Sequence, residues 1–339
     1  MRFACGLPPR LQRLLAGTPQ RIDGLQVAPD IQMLLRLSQL SGEDSVTGGA
    51  RISPQLARQK ARANAAIVSG PRLQLPRVES LTIPGPAGAI PARLYVSSDH
   101  AGDPRPLIVF FHGGGWVIGD LDTHDPVCRF LALHSGAAVL SIEYRLAPEH
   151  PFPAAVEDAM AAFRWAAGGP SELSSDPAKI AVCGDSAGAN LSAAVSILTR
   201  EEAGARPALQ ALLYPVTDAV GGQESRQLFA EGFLLTAYDM EWFEGHYLQG
   251  ANADEDPRAS VLRVEDVRNL PPAYVSTAGL DPLRDEAELY AERMRDAGNR
   301  VALRRHPSLI HGFANLTAIS RSSRLAMHEL AAAIRMGLA

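Results

Sequence analysis

The chain has 339 residues, 46% of them hydrophobic, enough to bury one large α/β domain with an insertion or two ordinary domains. A net charge of −5 with a pI near 6.0 excludes a basic nucleic-acid surface as its main theme and suits a neutral or weakly polar small-molecule partner. Cys5, Cys128 and Cys183 stand at unrelated spacings that fit neither a disulfide framework nor a zinc site; no apolar run has signal-peptide or membrane-spanning length, so the expected compartment is the cytoplasm.

Residues 1–75 read as two or three amphipathic helices, with Leu11, Leu14 and Leu15, then Ile31, Leu34 and Leu35, at helical spacing. They are expected to form an N-terminal helical cap segment. From 76 to 339, strands alternate with helical patterns, as a mostly parallel sheet flanked by helices demands. Val78–Ile83 and Ile90–Val96 form an opening hairpin around Gly85-Pro86-Ala87-Gly88. Strand-like runs follow at 107–111, 137–143, 180–183, 209–214, 273–277 and 301–305. Helical patterns lie at 125–135, 153–167, 190–203, 283–297 and 321–337. The stretch from Pro215 to Leu270 interrupts this alternation and is dense in aromatics: Phe229, Phe233, Tyr238, Trp242, Phe243 and Tyr247. An insertion over about 215–255 is expected to be a second cap piece, with rings serving as core, as pocket lining, or as both.

The first chemical motif is His112-Gly113-Gly114-Gly115-Trp116, directly after the apolar run Leu107–Phe111. Consecutive glycines leave backbone amides bare, and such donors can hold the oxyanion of an acyl-transfer intermediate. A flexible loop or plain turn chemistry is the other reading of these glycines; a phosphate cradle is disfavoured because no Lys-Ser or Lys-Thr follows. The second motif is Gly184-Asp185-Ser186-Ala187-Gly188, between the strand-like Ile180–Cys183 and a helical run starting at Asn190. A Gly-x-Ser-x-Gly elbow turns so sharply that the serine is strained and exposed at a helix N-terminus, and a Cβ at either glycine would clash.

A nucleophilic serine needs a base, and the base an orienting carboxylate. Of nine histidines, His100, His124, His134, His150, His246 and His328 have no glycine elbow beside them and read as surface or satisfied residues. His112 belongs to the glycine loop. His306 and His311 remain, both after the strand-like 301–305. His306 is expected at the end of that strand; His311, followed by Gly312-Phe313, lies in a loop able to bend back over the sheet edge. For the carboxylate, Asp281 lies in a loop after a strand, whereas Asp285 and Glu286 fall in a first helical turn, where acids are expected for the dipole alone. Ser186, Asp281 and His311 in that chain order match the α/β-hydrolase arrangement.

With Tyr144-Arg145-Leu146-Ala147-Pro148-Glu149-His150-Pro151-Phe152-Pro153 and Asp281-Pro282-Leu283-Arg284-Asp285 added, the chain resembles the hormone-sensitive-lipase-like (bacterial family IV) carboxylesterases of the α/β-hydrolase fold. The resemblance spans Leu107 to Phe313. It implies a capped α/β-hydrolase domain and a triad of Ser186, Asp281 and His311. The oxyanion hole would come from the amides of Gly114, Gly115 and Ala187, with His112, Gly113, Gly184, Asp185 and Gly188 as supporting motif positions. The implied activity is hydrolysis of short- to medium-chain esters through an acyl-enzyme, without cofactor or metal. Two alternatives stand beside it. An amidase or deacetylase would use the same triad, and a ligand-binding receptor on this fold, as in the plant gibberellin receptors, would lack the base histidine. The resemblance also suggests a homodimer through the edge strand near Val301–Arg305.

Overall fold

The computed structural model describes residues 2–42, 45–47, 52–98, 104–200, 202, 204–252 and 256–339. His100, residues 201 and 203 of the expected helix at 190–203, and residues 253–255 of the insertion lie outside them, as do 1, 43, 44 and 48–51 of the N-terminal segment.

Ahead of the sheet come α1 (Arg2–Cys5), α2 (Pro9–Ala16), a short ribbon of β1 (Arg21–Ile22) and β2 (Leu25–Gln26), α3 (Pro29–Ser41) and α4 (Pro54–Val68). Pro9, Pro29 and Pro54 each open a helix, where their preset φ helps and their missing amide is not needed. The main body follows: β3 (Arg77–Gly85), β4 (Gly88–Val96), β5 (Arg105–Phe111), α5 (Asp125–Ser135), β6 (Ala138–Ile142), α6 (Ala154–Ala167), β7 (Ser175–Asp185), α7 (Ala187–Arg200) and β8 (Leu209–Leu213). It closes with α8 (Glu224–Leu228), α9 (Ala237–Leu248), β9 (Ala273–Leu280), α10 (Arg284–Asp296), β10 (Val301–Ile310) and α11 (Arg321–Gly337).

The eight large strands lie in the order β10-β9-β8-β7-β5-β6-β4-β3. β3 and β4 form the expected antiparallel hairpin, β4 pairs antiparallel with β6, and the remaining pairs are parallel. This is the α/β-hydrolase fold. In β5, Leu107, Val109 and Phe111 enter one core while Ile108 and Phe110 enter the other, so the run is continuously apolar because both faces are buried. Helices α6, α7 and α10 pack on the first face; α3, α5 and α11 pack on the second.

Several elements extend beyond their sequence signals. β9 continues to Leu280 and α7 starts at Ala187 rather than Asn190, so Asp281 and Ser186 stand directly at strand ends. β10 runs through Pro307 to Ile310 with a register irregularity after His306. An edge strand can absorb a proline because one row of its amides needs no partner. His311 is therefore the residue after a strand end, not part of a long loop. The outer edge of β10 is covered near that end, where the Ala28 amide donates to the Ser308 carbonyl at 3.0 Å.

The two segments outside the alternation meet each other. Thr236 and Asp239 form a capping box at the start of α9, and Asp239 also accepts from the Thr47 hydroxyl at 2.6 Å and amide at 3.0 Å. The Val46 amide donates to the Leu234 carbonyl at 3.1 Å. Within the N-terminal segment, Ile31, Leu34 and Leu35 of α3 are buried as their spacing predicts. In α2 the expectation fails in one respect: Leu11, Leu14 and Leu15 face outward, and the buried residue is Gln12.

Candidate active site

The site is assembled at the carboxyl ends of β5, β7, β9 and β10. Ser186 joins β7 to α7 with φ +55°, the left-handed region that a serine occupies only when its surroundings over-determine it. The turn is tight because α7 begins almost against β5: a Cβ on Gly188 would run into the Phe111 carbonyl. Glycine is thus a packing requirement there. Gly114, at φ +121°, requires glycine on conformational grounds as well.

His311 Nδ1 lies 2.8 Å from Asp281 Oδ2, and its Nε2 lies 3.0 Å from Ser186 Oγ. Asp281 is fully buried, and its second oxygen accepts from the Leu283 amide at 2.9 Å. The three residues chosen from the sequence thus converge, across separations of 125 and 30 residues. His306 does not join them. It sits in β10 opposite Ala278, buried, with its ring 5.4 Å from that of Phe313.

The glycine loop lies beside the serine. The Gly113 amide donates to Asp185 Oδ1 at 2.9 Å, which pins loop to elbow and commits that donor. Among the described residues, the amides of Gly114 and Gly115 donate to no protein acceptor. Ala187 opens α7, where first-turn amides have no intrahelical acceptor. His112 points inward: its ring stacks on Tyr144 at 4.3 Å, its Nδ1 lies 2.9 Å from the Gly113 carbonyl, and the Tyr144 hydroxyl donates to the His112 carbonyl at 2.7 Å. Burial, reinforced by the neighbouring His124, lowers the His112 pKa to about 4. Burial alone would raise the Asp185 pKa, but His124 and the Gly113 amide hold it below the ordinary value.

Several supporting residues escaped the sequence reading. His124, expected as a surface or satisfied residue, is buried, with Nε2 3.3 Å from Asp185 Oδ1 but without hydrogen-bond geometry. Arg58 of α4 donates to the carbonyls of Val117 and Ala147, both at 2.8 Å, and pairs with Glu149 at 2.6 Å. The segment Tyr144–Pro153 is thus a brace between α4 and the glycine loop. Only the Thr236-x-x-Asp239 capping box carried a sequence signal for any of these contacts.

Above Ser186 and His311 is a cavity of about 290 Å³, roofed by Leu34 of α3, Ile67 of α4, Met240 and Phe243 of α9, with Val216 and Leu316 at its sides. Of the six aromatics in the insertion, only Phe243 lines it. Phe229 and Phe233 are buried elsewhere in the core, and Tyr247 stacks on Trp116 at 4.2 Å. Of the roles expected for these rings, core packing thus predominates, and Phe243 alone serves as pocket lining from this set.

A family model described as "alpha/beta hydrolase fold" matches residues 108–315. The chain is 47% identical over 339 residues to the carboxylic ester hydrolase LipN of Mycobacterium tuberculosis, covering 98% of this chain and 89% of that protein. It is 37% identical to the carboxylesterase NlhH of the same species, over 91% of this chain and 97% of that one. Among solved structures, an esterase of Pyrobaculum calidifontis superposes with a TM-score of 0.84 at 40% identity, covering 92% of this chain and all of the other. An ester hydrolase from the Lake Arreo metagenome superposes at 0.86 with 37% identity, over 91% of this chain and 98% of that one. Its strand order, motif spacing and relatives agree: the chain belongs to the hormone-sensitive-lipase-like family of the α/β-hydrolase fold and is a hydrolase.

Proposed function

We propose that the protein is a serine carboxylesterase acting on short- to medium-chain acyl esters. The observation that carries this reading is His311 standing between Asp281 and Ser186 at 2.8 and 3.0 Å. His311 Nε2 takes the hydroxyl proton as Ser186 Oγ attacks the ester carbonyl, and Nδ1–H stays bonded to Asp281, which fixes the tautomer. The amides of Gly114, Gly115 and Ala187 hold the oxyanion, each contributing on the order of 3 kcal/mol. Collapse expels the alcohol, which takes the proton from His311. Water then repeats the sequence on the acyl-enzyme, releasing the acid.

Residues 1–75 together with the insertion over about 215–255 act as the cap, a division supported by the ties from Asp239 to Thr47 and from Leu234 to Val46. The cavity of about 290 Å³ suits acyl chains of about eight carbons or fewer. Reaction with a p-nitrophenyl phosphonate followed by peptide mass spectrometry tests the mechanism. The adduct is expected on Ser186, and an adduct elsewhere overturns it. Palmitate esters turned over faster than butyrate esters would overturn the chain-length assignment. Amide hydrolysis shares the intermediate and differs in leaving-group protonation; matched ester and anilide substrates separate the two.

The compartment is the cytoplasm, a reading supported by three buried, unpaired cysteines. Among the described residues, no helix is long and apolar enough to cross a membrane. A homodimer would pair the β10 edges near Val301–Arg305. Arg304 and Arg305 are drawn onto Glu329 and Glu288, which favours it, but Ala28 already covers the edge at Ser308. Light scattering at micromolar concentration decides it, and a monomer mass overturns the dimer.

A further inference from the structure

Helix α2 is built the wrong way round for a helix whose task is to hold the monomer together. Its buried residue is Gln12, whose amide donates to the Cys5 carbonyl, while Leu11, Leu14 and Leu15 are 46%, 77% and 60% exposed. Phe3, on the preceding α1, is 84% exposed. Leu11, Leu14 and Leu15 at i, i+3 and i+4 form one stripe, so the exposure is an organised apolar face rather than scattered residues. Such a conflict between local pattern and burial is expected at functional positions.

Charge says what the face suits. Residues 1–22 contain Arg2, Arg10, Arg13 and Arg21 and no Asp or Glu, in a chain whose net charge is −5. Arg10 and Arg13 are exposed on the same helix, on one side of the leucine stripe, with Arg10 one turn before Leu14. A short helix with leucines on one face and arginines beside them has the make-up of an interfacial helix, which inserts its apolar side among acyl chains while the guanidinium groups meet anionic headgroups. A second protein copy is a poorer occupant, because four side chains are far fewer than the ~20 residues a side of a stable interface.

We propose that α1 and α2 dock the protein reversibly on an anionic lipid surface. The helix is joined to the cavity: α2 packs on α3, which contributes Leu34 and Ser38 to the cavity wall. Docking would therefore hold the substrate cavity close to the lipid, where poorly soluble esters concentrate.

The test is sedimentation of the full chain with phosphatidylcholine vesicles, with and without phosphatidylserine. Wild type is expected to co-sediment with the anionic vesicles and to be released by salt. Leu14→Glu/Leu15→Glu should weaken binding by ~tenfold or more, and Arg10→Glu/Arg13→Glu should abolish the preference for phosphatidylserine. Unchanged turnover of a soluble butyrate ester shows that both variants are folded, since none of the four residues lines the cavity. Failure to sediment with either vesicle, or sedimentation unaffected by both variants, overturns the proposal. A dimer in light scattering that Leu14→Glu/Leu15→Glu dissociates would also overturn it, assigning the face to a second copy.

Discussion

The floor and the roof of the cavity are held by different forces. At the floor, strand ends and backbone fix each group: Ser186 is strained at φ +55°, Gly188 admits no side chain, and Gly113 is bonded to Asp185. The roof rests on apolar side chains from α3, α4 and α9, tied chiefly where Asp239 meets Thr47. Backbone constraint tolerates almost no substitution, whereas apolar packing tolerates repacking at modest cost. The floor should therefore govern rate and stability, and the roof should govern which acyl chain is accepted.

The largest expected effect breaks the floor chemically. His311→Ala should lower kcat by roughly 10³-fold or more with KM little changed, because the proton transfer proposed for it belongs to the transition state. His306→Ala should be mild in the same assay, since that ring lies in β10 against Phe313. Activity in the first variant and its loss in a folded second would reverse the assignment.

A structural break comes next. Gly188→Ala drives a methyl into the Phe111 carbonyl and should destabilise the fold by about 3 kcal/mol, read from the urea midpoint. A wild-type midpoint would show that α7 can move away from β5, and the floor would then be softer than argued.

The third is a pH dependence of stability. His112 is lowered from 6.5 to about 4, so between those values the unfolded chain binds a proton that the folded chain does not. Stability should fall as pH drops through that window, by on the order of 3 kcal/mol from this residue. Urea titrations of wild type and His112→Asn should therefore converge as the pH is lowered from 7 toward about 4. Parallel curves would mean that His112 accepts its proton in the folded state.

The smallest effect sharpens the roof. Phe243 lies against Gly115, and Phe243→Ala should enlarge the cavity there. The ratio of kcat/KM for decanoate over butyrate esters should rise by about tenfold, with acetate turnover nearly unchanged. A uniform loss for all chain lengths would place Phe243 with the floor.

Where the physics is local, the sequence determined the outcome. Strand runs, glycine motifs and triad order each depend on a few neighbouring residues, since backbone geometry, turn chemistry and two-sided burial write themselves into short patterns. The convergence of Ser186, Asp281 and His311 was legible because each follows a strand. Boundaries were not, since sheet pairing carried β9 and β10 three and five residues beyond their propensity signals. Tertiary structure alone decided that His124 is buried beside Asp185, that Arg58 braces Val117 and Ala147, and that Asp239 joins two segments 192 residues apart. It also decided which side of an amphipathic helix is inside. The spacing of Leu11, Leu14 and Leu15 defines a stripe, but a stripe has no direction until a partner surface exists, and in this fold α3 receives Gln12's side instead.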